Sequence, residues 1–141
     1  MASSDRSQQG SGNVVEVAIA IIRRGSELLV CQRKADAVLG GYWEFPGGKI
    51  DPHELPPTAA EREALEELDV IVRATETLAP ITHTYDHATI RLTPILCDYL
   101  SGDPKPLGCA TFRWVPVSAL SDYPFPPANA PLLKELLTRF K

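Results

Sequence analysis

The sequence predicts an α+β fold in which a mixed β-sheet lies between helices, an α/β/α sandwich. Three observations carry this expectation. Strand-like runs stand on both sides of a central stretch with helical spacing. A second helical pattern closes the chain, with Leu132, Leu133, Leu136, Leu137 and Phe140 recurring along Ala130 to Phe140. The 141 residues, 44% hydrophobic and 23% charged, suit one domain with a single core.

Each element can be justified in order. Residues 1–12 lack any hydrophobic stretch, so they read as a disordered tail rather than a signal peptide, and the domain is expected over 13–141. Val14 to Arg24 is rich in β-branched residues, and Leu28 to Gln32 follows after Gly25-Ser26, which predicts a hairpin. Ala35 to Tyr42 carries Gly40-Gly41 and reads as a loop. Trp43 to Phe45 is a short extended piece before Pro46, and Pro46-Gly47-Gly48 is a sharp turn where backbone can approach a ligand. Pro56-Pro57 bars a helix from continuing downstream, and Thr58 with Glu61 forms a capping-box pattern at the start of a new one. Ala60, Ala64 and Leu68, with Leu65 beside them, give that helix its buried stripe. Ile71 to Ile81, Thr89 to Leu100 and Thr111 to Val117 read as strands, with a turn at Ser101 to Pro104.

Composition excludes several function classes. A net charge of −4 argues against a duplex nucleic-acid binder, which carries a basic face. No apolar run approaches the roughly 18 residues that span a membrane. Cys31, Cys97 and Cys109 share no CxxC spacing and read as buried, reduced thiols of a cytoplasmic protein. His53, His83 and His87 lack zinc-ligand spacing and are assigned to turns or packing, as Trp43 and Trp114 are to packing. The chain is expected to act as a monomer on a small molecule.

The chemistry concentrates between Gly48 and Val70. On a helix Glu63, Glu66 and Glu67, at i, i+3 and i+4, crowd one face, where like charges repel unless a cation lies between them. Carboxylate oxygens are the ligands that Mg²⁺ and Mn²⁺ prefer. Three glutamates alone would read as a solvated helix face. The surrounding pattern changes that: Gly48, five residues, Glu54, seven residues, Arg62-Glu63, then Glu66-Glu67. This resembles the signature box of the Nudix hydrolases. Matching six fixed positions by chance has a probability on the order of 10⁻⁷ at a given start, from average residue usage. The box's late glycine is Asp69 here, at a helix end where a left-handed residue is common and Asp is tolerated.

The resemblance is closest to the MutT-like branch. Trp43 to Lys49 (WEFPGGK) is similar to that branch's approach to the box, Phe125 to Asn129 (FPPAN) to its base-recognition segment, and Gln32-Arg33 matches in spacing. The resemblance implies the same α/β/α sandwich and the hydrolysis of nucleoside triphosphates, including 8-oxo-dGTP, to monophosphate and pyrophosphate. It implies metal held by Glu63, Glu66, Glu67 and the carbonyl of Gly47, with Glu63 also helping to deprotonate the attacking water. Arg62 should orient these carboxylates and Glu54 should close the metal shell. Other Nudix substrates, such as a cytidine triphosphate, ADP-ribose or a dinucleoside polyphosphate, share the box. A non-catalytic Nudix-like binding module is disfavoured because every box glutamate is kept.

The substrate contacts leave alternatives open. Lys49 and Arg33 are candidate phosphate contacts, against the alternative of ordinary surface charge. Asn129 before Ala130-Pro131 is a natural helix N-cap, and inside FPPAN it is also a candidate reader of a purine edge. Phe45 can pack on the base or belong to the core, and Tyr85 is a weaker stacking candidate. Arg113, just before Trp114, stands where MutT-like enzymes often place a further metal-approaching glutamate. The expectation is that it forks a substrate phosphate and lowers the need for an outer metal.

Overall fold

The computed structural model describes residues 14–86 and 88–140. The expected tail over residues 1–12 and His87 lie outside them.

β1 (Val14–Arg24) and β2 (Glu27–Gln32) form the expected hairpin, turning at Gly25 with φ +61°. The two strands pair only near that turn, at Arg23 with Leu28 and Arg24 with Glu27. Further from it a two-part segment fills the space between them. β3 (Trp43–Glu44) pairs with the end of β2, and β4 (Gly47–Lys49) pairs with β1 through Ile19, Ala18 and Val17. The amide of Ala20 also donates to the Pro46 carbonyl at 2.8 Å. Pro46-Gly47-Gly48 is therefore not the sharp turn that its composition predicts. Extended backbone there recovers ladder hydrogen bonds that a turn in this buried gap would leave unmade.

The other edge of β1 carries β7 (Thr89–Ser101) in parallel, from Val14 with Thr89 to Arg23 with Asp98. β5 (Ile71–Thr77) and β6 (Ile81–Thr84) pair antiparallel with successive halves of β7. The single strand expected over Ile71 to Ile81 is thus two. Leu78 turns into the core, 5% exposed, and Pro80 has no N–H to give a ladder. β8 (Thr111–Pro116) covers the outer edge of β2, completing a mixed sheet.

α1 (Pro56–Leu68) packs on one face of the sheet. Its start is three residues earlier than the Thr58–Glu61 pattern predicts, and no side chain caps it. Pro56 and Pro57 occupy the first two helical positions, where an N–H would have no partner, so a side-chain cap has less to satisfy. Glu61 accepts instead from the Ala74 amide at 2.8 Å, tying the helix to β5. Ala59, Ala60, Ala64 and Leu68 are buried, whereas Leu65 is 44% exposed and lies off the stripe. Because the contacting residues are mostly alanine, the helix backbone sits close to the sheet. Asp69 ends α1 in the left-handed conformation, φ 58° and ψ 39°, as its place in the box predicts.

The β7–β8 connection then seals that helix end. The amides of Lys105, Leu107 and Gly108 donate to the carbonyls of Leu68 and Glu67. On the opposite face lie α2 (Ala130–Arg139) and 3₁₀ turns at Val117–Asp122 and Pro127–Asn129. They cover a second core of Ile21, Leu28, Val30, Trp43, Leu120, Leu132 and Leu136. Two apolar layers sandwich the sheet between α1 and α2, the architecture expected. Among the described residues no helix is long and apolar enough to cross a membrane.

The tight seat of β4 generates a stability prediction. A Cβ on Gly47 would meet the Ala18 carbonyl oxygen and come within 2.7 Å of the Ile19 Cα, both backbone. Gly47→Ala should therefore cost about 1–3 kcal/mol in urea unfolding. An unchanged midpoint would mean that β4 moves out of the gap freely.

Candidate active site

The acidic face of α1 is organised by one cation. Arg62 grips Glu54 in a fork, Nε to Oε2 at 2.8 Å and Nη2 to Oε1 at 2.9 Å. Its Nη1 donates to Glu63 at 3.1 Å and Glu66 at 3.0 Å, and its Nη2 donates to the Lys49 carbonyl at 3.1 Å. A single guanidinium thus joins the loop before α1, β4 and two turns of the helix. These bonds raise the affinity of Arg62 for its own proton, Glu54 first. Arg62 and the Asp51 amide hold the Glu54 carboxyl down at about 2.

Glu63 and Glu67 sit deeper. The Glu63 carboxylate lies over Gly48, where a Cβ would come within 2.5 Å of its oxygen, so a side chain there would displace the carboxylate from this position. Burial raises its pKa above the ordinary carboxylate value, against the pull of Arg62. Glu67 accepts from the Gly47 amide at 3.1 Å. Burial first, then the nearby charges of Glu44 and Glu63, push its carboxyl up to about 8 in spite of that bond.

The donor set fits a hard divalent cation. Every donor is oxygen, Gly48 leaves a cradle for one carboxylate, and Glu67 is a desolvated acid with no cation bonded to it among the described residues. The side chains do not complete a cage. Among the described residues no three His, Cys, Asp or Glu groups converge as a metal site, so backbone or substrate oxygens must supply the remainder. That is the usual binding mode of Mg²⁺.

Two adjoining cavities lie beside β3, one of them reaching this face at Glu67 and Gly47. One, of about 210 Å³, is lined by Leu39, Tyr85, Pro126 and Asn129 among others. The second, of about 230 Å³, is lined by Gly47, Glu67, Lys34 and Gly108 among others. Arg33 and Glu44 line both and form an ion pair at 2.8 Å between them.

The structure therefore brings together Glu54, Arg62, Glu63, Glu66, Glu67 and Gly47 on one side, and Arg33, Tyr85 and Asn129 on the other. Asn129 stands at the N-cap position of α2, yet its side chain makes no capping hydrogen bond and lines the cavity. Three expected contacts lie elsewhere. Phe45 is 3% exposed and packs against Phe125 at 5.3 Å, so it is core rather than a stacking surface for a base. Lys49 gives the site its carbonyl, and its side chain is exposed outside both cavities. Arg113 pairs with Val30, which faces the α2 layer, and its guanidinium lies over Trp43 at 5.8 Å. It therefore lies on the α2 side of the sheet, opposite the glutamates of α1, and not beside them as expected. Sequence reasoning passed over Glu44, whose signal is parity: Trp43 is buried in the α2-side core, so its neighbour must face α1.

The fold and the glycine-loop-helix site define a hydrolase built around a carboxylate-bearing helix seated on two glycines. The NUDIX domain model matches residues 17–135, and the chain belongs to that family and is a Nudix hydrolase. The 8-oxo-dGTP diphosphatase of Escherichia coli is 30% identical over 123 residues, covering 86% of this chain and 95% of the relative. The CTP pyrophosphohydrolase of the same organism is 31% identical over 124 residues, covering 88% and 92%. The solution structure of the E. coli ORF135 protein superposes with a TM-score of 0.81 at 31% identity, covering 94% of both chains.

The paired carboxylates make stability depend on pH. In the unfolded chain Glu67 loses its proton near 4.5, and in the folded chain near 8, so folding is penalised increasingly as pH rises through that window. Glu54 acts oppositely, its contribution being complete above 4.5 and lost as pH falls toward 2. In chelator, the melting temperature should decline from about pH 5 to 8, and Glu67→Gln should flatten the decline. Added Mg²⁺ at pH 8 should raise the wild-type melting temperature more than that of Glu67→Gln. A Glu67→Gln profile that keeps the wild-type slope would show that another group is responsible.

Proposed function

We propose that this Nudix hydrolase cleaves a purine nucleoside triphosphate, foremost 8-oxo-dGTP or a related oxidised nucleotide, to the monophosphate and pyrophosphate. The observation that carries this reading is the placement of an Asn129-lined cavity directly beside the Glu67 cavity, the two meeting at Arg33. A nucleotide needs a site for its base next to a site for its phosphates. Asn129 can donate and accept at once, as a purine edge requires, and its side chain is not used as a cap. The relatives named 8-oxo-dGTP diphosphatase support the oxidised purine. The similarity to a CTP pyrophosphohydrolase supports a second reading with cytidine triphosphate. Buried thiols at Cys31, Cys97 and Cys109 support a cytoplasmic setting.

Glu63, Glu66, Glu67 and the Gly47 carbonyl would hold Mg²⁺ or Mn²⁺. When bound, such an ion neutralises phosphate charge and lowers the pKa of bound water. Glu63 accepts a proton from the attacking water, a role favoured by burial that raises its proton affinity. Arg62 fixes Glu54, Glu63 and Glu66 in one arrangement, so the carboxylates do not reorganise as charge develops. Arg33 binds phosphate at the junction, and Tyr85 stacks beside the base.

A panel of ordinary and oxidised nucleotides, assayed for pyrophosphate with and without Mg²⁺, tests the class. The highest kcat/KM is expected for 8-oxo-dGTP, and orthophosphate as the main product would overturn the cleavage. Glu63→Gln should lower kcat by about 10²–10⁴ while nucleotide binding persists. A value within tenfold of wild type would remove Glu63 from the chemistry. Asn129→Ala should weaken purine substrates selectively by about 1–3 kcal/mol, read as kcat/KM across the panel. An unchanged purine preference would exclude base reading.

A further inference from the structure

The cations near the site divide sharply by what they already bind. Arg62 is hydrogen-bonded to three carboxylates and a carbonyl, Lys49 is turned outward, and Arg113 stacks on the far face. Arg33 and Lys34 remain, and of these Arg33 alone reaches both cavities. A flexible arginine in that place would have many rotamers to lose on binding. Here it is held on two sides. Its Nε donates to the Val38 carbonyl at 2.6 Å, and its Nη1 donates to Glu44 at 2.8 Å. Its Nη2 makes no hydrogen bond to protein among the described residues.

Glu44 is itself fixed by the sheet. It pairs with Cys31 across β2, next to Trp43, which is buried on the opposite face. A carboxylate in that position would repel a phosphate if left alone. Paired with Arg33 it cancels one charge and leaves an oriented donor edge.

We propose that Glu44 is a positioning residue that aims Arg33 at the phosphate adjoining the sugar, where the base cavity meets the metal-side cavity. This rests on the nucleotide reading above and adds to it a residue outside the Nudix box. The ion pair is formed before substrate arrives, so its effect falls on binding. The glutamates of α1 keep their arrangement without it. Glu44 thereby couples recognition of the base side to placement of the phosphate chain.

The test compares 8-oxo-dGMP with its nucleoside by calorimetry in chelator, for wild type, Glu44→Gln, Glu44→Ala, Arg33→Ala and the double alanine variant. Wild type should bind the monophosphate more tightly than the nucleoside. Glu44→Ala and Arg33→Ala should each weaken the monophosphate about tenfold and leave the nucleoside unchanged, and the double variant should be no worse than Arg33→Ala. In turnover KM should rise, with kcat within about twofold of wild type. If Glu44→Ala fails to fold, Glu44→Gln decides, since it keeps the shape and removes the charge. Monophosphate affinity unchanged in the Glu44 variants but lost in Arg33→Ala would overturn the positioning role. If wild type binds neither ligand, the nucleotide reading falls and this inference with it. Binding of both by wild type with intact Glu44 variants removes this inference alone.

Discussion

The splay between β1 and β2, and its filling by the segment from Trp43 to Lys49, is the constraint on which the rest of the site depends. The hairpin pairs only beside its turn, which leaves backbone groups of both strands without partners. β3 satisfies one strand and β4 the other, so Gly47 and Gly48 lie inside the sheet beneath α1. The two glycines make room for different groups. Gly47 has backbone of β1 where a side chain would go, and Gly48 has the carboxylate of Glu63. The need of a sheet for paired amides and the need of a helix for close approach meet at these two residues. The Gly47 amide, donating to Glu67, is the direct link between them.

Electrostatically the face is two sites. Glu54 and Glu66 belong to Arg62, and Glu54 in particular is stabilised as an anion. Glu63 touches the same guanidinium but pays for its burial, and Glu67 has no such cation among the described residues. An acid held in this way gains most when a cation arrives. On the proposed reading, the cost to stability at neutral pH falls at the position where a bound cation would offset it.

Much of this was legible in the sequence. β1, β2, β7, β8, both helices and the left-handed Asp69 follow from periodicity and from the identity of the residues that end each run. Helix spacing put Glu63, Glu66 and Glu67 on one face, and the resemblance to the Nudix box added Glu54 and Arg62. The misses share another cause. Thr58 and Glu61 satisfy a capping pattern, but two prolines had already begun the helix and a distant amide on β5 claimed Glu61. Pro46-Gly47-Gly48 has turn composition, yet a gap between strands elsewhere in the sequence straightened it. Arg113 and Phe45 were judged by neighbours along the chain, whereas alternation assigns them to the α2 side once the register of β8 and β3 is known. Glu44 was missed for the same reason. A strand's period is visible in its sequence, but which parity faces the site is set by its partners.

The alanines of α1 carry one more consequence. Ala60 and Ala64 decide how far the helix backbone stands from the sheet, and each has no side chain that could yield. A larger residue at either place would lift the whole acidic face as a rigid block, moving Glu63 off Gly48 and Glu67 off the Gly47 amide together. In a random mutagenesis screen such lesions would be scored beside losses of the glutamates themselves, though neither alanine touches the ligand. The map of sensitive positions would therefore be wider than the map of contacts, and its outline would follow the seam between helix and sheet.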